Sequence, residues 1–130
     1  MSVVALPHAP ASATVARRRL VADLRNHGLP ATVIADAELV IAEMVGNAVR
    51  HARPLPDGTL CASWHVQGNS VVVRVTDGGG PTRPAVQRQI DVVQAERGRG
   101  LAIVAAVARD WGAEPTGRGQ RTWACIELPG

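Results

Sequence analysis

The stretch AEMVGNAVRHA, residues 42–52, sets four polar side chains into a segment otherwise made of Ala, Val, Met and Gly. At about 100° per residue of an α-helix, Glu43, Asn47 and Arg50 fall within an arc of roughly 60°, with His51 at its edge. The apolar residues of the segment point the other way, so the pattern predicts an amphipathic helix with one narrow polar stripe. Taken by itself, such a stripe is typical of a solvated helix face.

The composition is that of one globular domain over residues 1–130. The hydrophobic fraction of 46% and the charged fraction of 19% argue against both a disordered chain and a membrane protein. No apolar run reaches the roughly 18 residues of a membrane-spanning helix, and the N-terminus has no signal-peptide pattern. We therefore expect a cytoplasmic protein that has no membrane partner.

The basic charge balance raises the question of nucleic-acid binding. The net charge is +3 and all 14 basic residues are Arg, but the chain has no Phe or Tyr on which bases could stack. The run Arg17–Arg19 is typical of a solvated helix face. We expect no direct nucleic-acid partner.

The cysteines and histidines show no metal-ligand spacing. Cys61 and Cys125 belong to no CxxC motif and are interpreted as buried free thiols, although a fold could bring them side by side. The four histidines are too scattered for a zinc site. We expect no transition metal.

Helix and strand signals surround the opening stretch on both sides. They predict a strand in SVVAL, a helix over 13–27 capped by Ser12 or Thr14, and a second helix over 32–52. Alternation then predicts strands in TLCASWHV, SVVVRVT and RTWACIEL, each with one apolar and one more polar face. This pattern favours an α/β fold, a two-layer sandwich whose mixed, mostly antiparallel sheet carries its helices on one face.

Two predictions concern the region between the last two of these strands. GRGLAIVAAVARDWG, residues 98–112, predicts an almost wholly apolar helix that ends at Gly112 and is the most buried helix of the fold. The segment 79–98 has weak periodicity and predicts a mobile loop, with a short helix around 85–94.

Two glycine-rich stretches contain further candidate binding groups besides the polar stripe. VTDGGG, residues 75–80, places an acid followed by glycines at the end of a strand. Asp-Gly after a strand usually forms a turn. RGRGLAIV, residues 97–104, opens a helix with a Gly-x-Gly pair, which is often only a tight helix entry but also exposes N–H groups that can bind phosphate. A Rossmann fingerprint fails because no strand immediately precedes these glycines, and a Walker loop fails because the chain has no lysine.

In this order, Glu-x-x-x-Asn-x-x-Arg-His, Asp-x-Gly and Gly-x-Gly-Leu together resemble the gyrase/histidine-kinase (GHKL) ATPase superfamily, whose nucleotide site is the Bergerat fold. AEMVGNAVRHA, GRGLAIVAAVARDWG and the Trp of RTWACIEL are similar to its compact anti-sigma-factor serine/threonine kinase branch. The resemblance extends from about Val4 to Leu128. Pro81 and Ala102 replace glycines that are common elsewhere in the superfamily, and both changes are usual in this branch.

The resemblance implies roles for the polar stripe and for the Asp-x-Gly turn. Asn47 would bind Mg²⁺ through its amide oxygen, and Glu43 would be the catalytic general base. The alternative for Glu43 is a surface carboxylate paired with Arg50 or Asn47. Asp77 would accept a hydrogen bond from the adenine amino group of ATP, and Gly79 would let the backbone approach the base.

The resemblance assigns further ATP-binding residues less specifically. The backbone of the glycine-rich helix start would bind phosphate, at Gly98, Gly100 and Leu101. Either Arg97 or Arg99 would reach the γ-phosphate. Arg50 and His51 would line the phosphate side of the helix, and Thr122 would help to bind adenine or is a core threonine.

The function that the resemblance implies is that of an ATP- and Mg²⁺-dependent serine/threonine protein kinase. Its partners would be a sigma factor, which it binds, an anti-anti-sigma protein, which it phosphorylates, and a second copy of itself in a homodimer. The alternative is a non-catalytic ATP/ADP-binding switch that sequesters a regulatory partner. In either case the segment 79–98 would be a lid ordered by the γ-phosphate.

Overall fold

The computed structural model describes residues 1–80 and 101–129 in full, and residues 87–88 and 99–100 by their backbone. The elements in chain order are β1 (Ser2–Pro7), α1 (Ser12–Asn26), α2 (Ala31–His51), β2 (Thr59–Gln67), β3 (Ser70–Asp77), β4 (Gln87–Arg88), α3 (Arg99–Val107), β5 (Asp110–Pro115) and β6 (Gln120–Glu127).

The strands form one sheet in the order β1-β2-β3-β6-β5-β4, and every pairing among the described strands is antiparallel. The central strand β3 pairs on one side with β2 and on the other with β6, so that Val73 lies opposite Trp64 and Ala124. Because side chains alternate along a strand, these three residues share one face of the sheet, and all are buried.

The helices cover that face. α2 packs against α1, α3, β3 and β6, and its buried residues join those of the strands in one hydrophobic core. On the opposite face Arg74, Trp123 and Cys125 remain partly exposed. The predicted two-layer α/β sandwich with a largely antiparallel sheet is therefore confirmed.

The predicted helix over 98–112 is too long. α3 ends at Val107, and the chain leaves it because the N–H of Arg109 donates to the Cys125 carbonyl at 2.9 Å, which starts the pairing of β5 with β6. The fully buried Trp111 then fills the core from a strand. An apolar run is compatible with either a buried helix or a buried strand, so its periodicity could not separate the two.

α2, rather than α3, contributes most to the core. It buries eight residues, whereas the described side chains of α3 bury only Leu101 and Val104. The prediction that the glycine-opened helix is the most buried one is therefore wrong. α2 lies in the middle of the helical layer, between α1 and α3, and this central position accounts for its burial.

The predicted cap of α1 is also wrong. The N-cap position is Ala11 and no side chain caps the helix; the Ser12 hydroxyl instead donates to the Pro7 carbonyl at 2.5 Å. Of the predicted short helix around 85–94, residues Gln87–Arg88 form strand β4, and the other positions lie outside the described residues. Most of the predicted 79–98 lid lies outside them as well.

A half-buried contact at the sheet edge ties β1 to α1 and β2. The Asp23 carboxylate accepts hydrogen bonds from Ser2 Oγ and from Trp64 Nε1, both at 2.8 Å. The Trp64 bond and then the Ser2 bond hold the pKa of Asp23 below its ordinary value. The three elements at this end of the sandwich are thus joined by one charged acceptor.

The two cysteines are free and lie on strands separated by β3. Burial raises the pKa of both the Cys61 and the Cys125 thiol. In the part of the chain described here, no helix is long and apolar enough to cross a bilayer.

Candidate functional site

The polar stripe occupies the last three turns of α2. The helix starts after Pro30, which has extended backbone angles, and ends at His51 because Ala52 is extended and Pro54 follows. Glu43 and Asn47 are half-buried at the margin of the buried face, while Arg50 and His51 are exposed.

The two half-buried members of the stripe have no side-chain partner in the described part of the chain. Within residues 1–80 and 101–129, neither Glu43 nor Asn47 makes a side-chain hydrogen bond or an ion pair. The alternative in which Glu43 is paired with Arg50 or Asn47 is therefore wrong. The side chains of Glu43 and Asn47, one helical turn apart, remain available for a ligand or for water.

Arg50 turns back along the helix. A Cβ built at Gly46 would lie 3.1 Å from Arg50 Nη1, so the guanidinium rests over the glycine one turn earlier. The absence of a side chain at Gly46 thus leaves room for the Arg50 guanidinium. Arg50 and His51 also stand in the last turn of the helix, where positive charge is favoured by the helix dipole.

Asp77 ends the central strand β3 and is only 6% exposed. Its Oδ1 accepts a hydrogen bond from the N–H of Gly79 at 2.7 Å, and Gly79 has a φ of 87°. From the sequence, Asp77 could be a turn residue or a buried carboxylate. In the structure it is both. A positive φ is accessible to glycine at little cost, which explains the residue type at position 79.

Thr122 lies beside this carboxylate on the helix-covered face. In the register of β3 and β6, Asp77 pairs with Gln120 and Val75 pairs with Thr122, so Asp77 and Thr122 are diagonal neighbours on one face. Thr122 is half-buried. The fold thus brings these two predicted adenine-binding residues together from strands distant in sequence.

The glycine-rich helix start is described only in part. Arg97 and Gly98 lie outside the described residues, and Arg99 and Gly100 begin α3, which packs against α2. The side chain of Leu101 is 3% exposed and belongs to the hydrophobic core. Leu101 therefore has only its backbone to offer a ligand.

Two residues that the sequence reasoning missed contact the C-terminal end of α2. His8 Nε2 lies 3.2 Å and 2.9 Å from the carbonyl oxygens of Ala48 and Ala52, and it carries the proton because carbonyls only accept. The N–H of Arg53, two residues after α2, donates to the Gly79 carbonyl at 2.9 Å, so the loop after α2 is joined to the turn that follows Asp77. These contacts span tens of residues and have no local sequence signal.

The donor set suits a nucleotide with magnesium better than a metal bound by protein alone. Among the described residues, no group of three or more His, Cys, Asp or Glu side chains could hold a metal ion. Mg²⁺ commonly takes one or two protein oxygens and completes its shell with water and substrate phosphates. The Asn47 amide oxygen and the Glu43 carboxylate are the half-buried oxygen donors of the stripe that could take part in such a shell.

Comparisons with known proteins identify the family and the fold of the chain. A family model described as the histidine kinase-like ATPase domain matches residues 6–126. In fold, the chain is similar to the crystal structure of the RsbU and RsbW domains of Rv1364c from Mycobacterium tuberculosis, with a TM-score of 0.68 and 21% sequence identity. That match covers 98% of this chain and 33% of the other, so this chain spans about a third of its length. A comparison with curated proteins gives no match.

Proposed function

The chain belongs to the histidine kinase-like ATPase family, and from that premise we propose that it is an ATP-dependent serine/threonine protein kinase of the anti-sigma-factor type. In this proposal it binds a sigma factor and phosphorylates an anti-anti-sigma protein on a hydroxyl group. Membership of the family implies ATP binding. The likeness in fold to a chain with an RsbW domain supports the choice of branch.

The observation that carries the proposal is that a buried acceptor, Asp77, lies at one end of the site, and two polar side chains without a side-chain partner in the described residues, Glu43 and Asn47, lie at the other. Asp77 is buried at the end of β3, and the loop that directly follows α2, the helix that bears Glu43 and Asn47, is hydrogen-bonded to the same turn through Arg53. A carboxylate has about four lone-pair sites, so Asp77 can accept from an adenine amino group while it also accepts from Gly79.

The residues divide the work along α2. Bound ATP with Mg²⁺ would supply the transferable phosphoryl group. The Asn47 amide oxygen would hold the magnesium ion, and Arg50 would place positive charge near the phosphates. The Glu43 carboxylate, about 6 Å earlier along the helix axis, would accept the proton of the partner's serine hydroxyl.

A homodimer in the cytoplasm is part of the same proposal. The candidate partners are sigma factors and antagonist proteins of the same genome. The glycine-rich segment, with Gly98, Gly100 and one of Arg97 or Arg99, would complete the phosphate end of the site.

The experiment is a phosphotransfer assay with radiolabelled ATP, magnesium and candidate antagonist proteins. We expect label on a serine or threonine of one antagonist, and none when Glu43→Gln replaces the wild type. ATP binding and ATP-dependent capture of a sigma factor without transfer to any antagonist would contradict the kinase and favour the non-catalytic switch.

A further inference from the structure

Three chain segments meet directly behind the Asp77 turn. They are the loop after α2 at Arg53 and Pro54, the residue that follows β3, Gly78, and the turn between β5 and β6 at Gly119. None of these four residues is assigned to the proposed ATP site. Their contacts nevertheless determine the position of the Asp77 carboxylate.

Arg53 makes three hydrogen bonds to the turn that follows Asp77. Its N–H donates to the Gly79 carbonyl at 2.9 Å, and its own carbonyl accepts from the N–H of Gly78 at 2.7 Å. Its Nη2 donates to the Gly80 carbonyl at 3.0 Å. The reciprocal backbone pair resembles one rung of an antiparallel ladder, so the turn is bonded to the loop after α2 as a strand is bonded to its neighbour.

Glycine is required at the two contacts because backbone lies against backbone. A Cβ at Gly78 would lie 2.0 Å from the Pro54 carbonyl oxygen and 2.8 Å from that of Arg53. A Cβ at Gly119 would lie 1.8 Å from the carbonyl oxygen of Asp77 itself. These obstacles are main-chain atoms, which cannot turn aside as the end of a side chain can, so any larger residue displaces the turn.

We propose that Arg53, Gly78 and Gly119 are positioning residues for adenine recognition: they fix the Asp77 carboxylate without touching the nucleotide. The inference rests on the proposed function, in which Asp77 accepts the adenine amino group. Selectivity for adenine over other purines then depends on the α2–β2 loop and the β5–β6 turn.

The test compares ATP with inosine triphosphate, in which an oxygen replaces the adenine amino group. Affinities are measured by calorimetry for the wild type, Gly119→Ala and Gly117→Ala. Gly117 lies in the same turn, and a Cβ added there would meet nothing within 4 Å, so it is the matched control. We expect Gly119→Ala to weaken ATP binding at least tenfold and inosine triphosphate binding less than twofold, while Gly117→Ala changes neither.

A second variant keeps the test decisive if Gly119→Ala does not fold. Arg53→Ala removes only the exposed guanidinium and its bond to Gly80. We expect it to lower the ratio of ATP to inosine triphosphate affinity about threefold, and Arg53→Lys to restore part of that ratio. Thermal melting without nucleotide shows whether each variant is folded.

The outcomes separate the two claims. A wild type that binds neither nucleotide overturns the proposed function, and the positioning role falls with it. A wild type that prefers ATP, together with an unchanged preference in folded Gly119→Ala or Arg53→Ala, overturns the positioning role alone. Equal losses for both nucleotides would mean a merely structural role and would also overturn it.

Discussion

The two ends of the candidate site are built differently. The Asp77 turn is buried, bonded within itself and held by backbone groups of two other segments, whereas Glu43 and Asn47 stand half-buried on one helix with no intramolecular side-chain partner in the described residues. The first end is fixed by geometry before any ligand arrives. We expect that the side chains of the second end can be replaced with little consequence for the fold, because none of their bonds holds the described residues together.

The largest effect should come from the helical end. Glu43→Gln keeps the shape of the side chain but removes its basicity, so phosphotransfer to the antagonist should fall by roughly 10² to 10⁴ while ATP affinity persists. Single-turnover transfer and calorimetry measure the two quantities. Glu38→Gln, on the same helix, is the control and should transfer normally. Full phosphotransfer by Glu43→Gln would remove Glu43 from the mechanism.

The next effect belongs to the turn. Asp77→Asn replaces a charged acceptor by a neutral amide, which should weaken ATP binding by about 1.5 to 3 kcal/mol. Calorimetry with ATP measures this loss, and Asp36→Asn, an exposed acid on α2, should leave the affinity unchanged. Wild-type affinity in Asp77→Asn would mean that Asp77 serves only the turn.

The effect of Asn47→Ala on ATP binding should be smaller and should depend on the metal. Removing one protein oxygen from the magnesium shell should weaken Mg-ATP binding by about 1.4 kcal/mol, roughly tenfold. With a chelator in place of Mg²⁺, the variant and the wild type should differ much less. Asn26→Ala, exposed on α1, is the control. A loss that is the same with and without Mg²⁺ would contradict metal binding by Asn47.

The smallest effect lies away from both ends, at Asp23, and tests whether stability can change without a change in binding. Because the folded-state pKa of Asp23 is lowered, its stabilising contribution is present above the unfolded value near 3.8 and is lost as the pH falls through the folded pKa. Ser2→Ala removes one donor, so the free energy of unfolding should drop by about 1 kcal/mol at neutral pH.

Chemical denaturation across pH measures this. The difference between Ser2→Ala and the wild type should shrink at acid pH, and ATP affinity should not change. A difference that does not shrink as the pH falls below the unfolded value near 3.8 would show that the Ser2 hydroxyl acts independently of the Asp23 charge.

The sequence predicted the parts of the fold that depend on local pattern. Amphipathic spacing located α1 and α2 to within a residue at each end, and alternation located β2, β3 and β6. It failed at β5, because the apolar run that includes Trp111 fits a buried helix as well as a buried strand. The pairing of Arg109 with Cys125, which decides between them, is a contact across the sheet.

The candidate site shows the same division. The positions of Glu43 and Asn47 follow from helical spacing within one segment, and the resemblance to a known family supplied their suggested roles. Arg53 and Gly119 could not be found this way, because their importance comes from main-chain contacts with a turn more than twenty residues away in the chain. The glycine run after Asp77 was the only local hint of a close approach.

The central claim, a magnesium-dependent adenine-nucleotide site between α2 and α3, is tested most directly by calorimetric titration of the wild-type chain with ATP, with and without Mg²⁺. We expect saturable binding of one ATP per chain that weakens when the metal is removed. Folded protein that shows no heat of binding with ATP or ADP at millimolar concentration, with Mg²⁺ present, would contradict the claim.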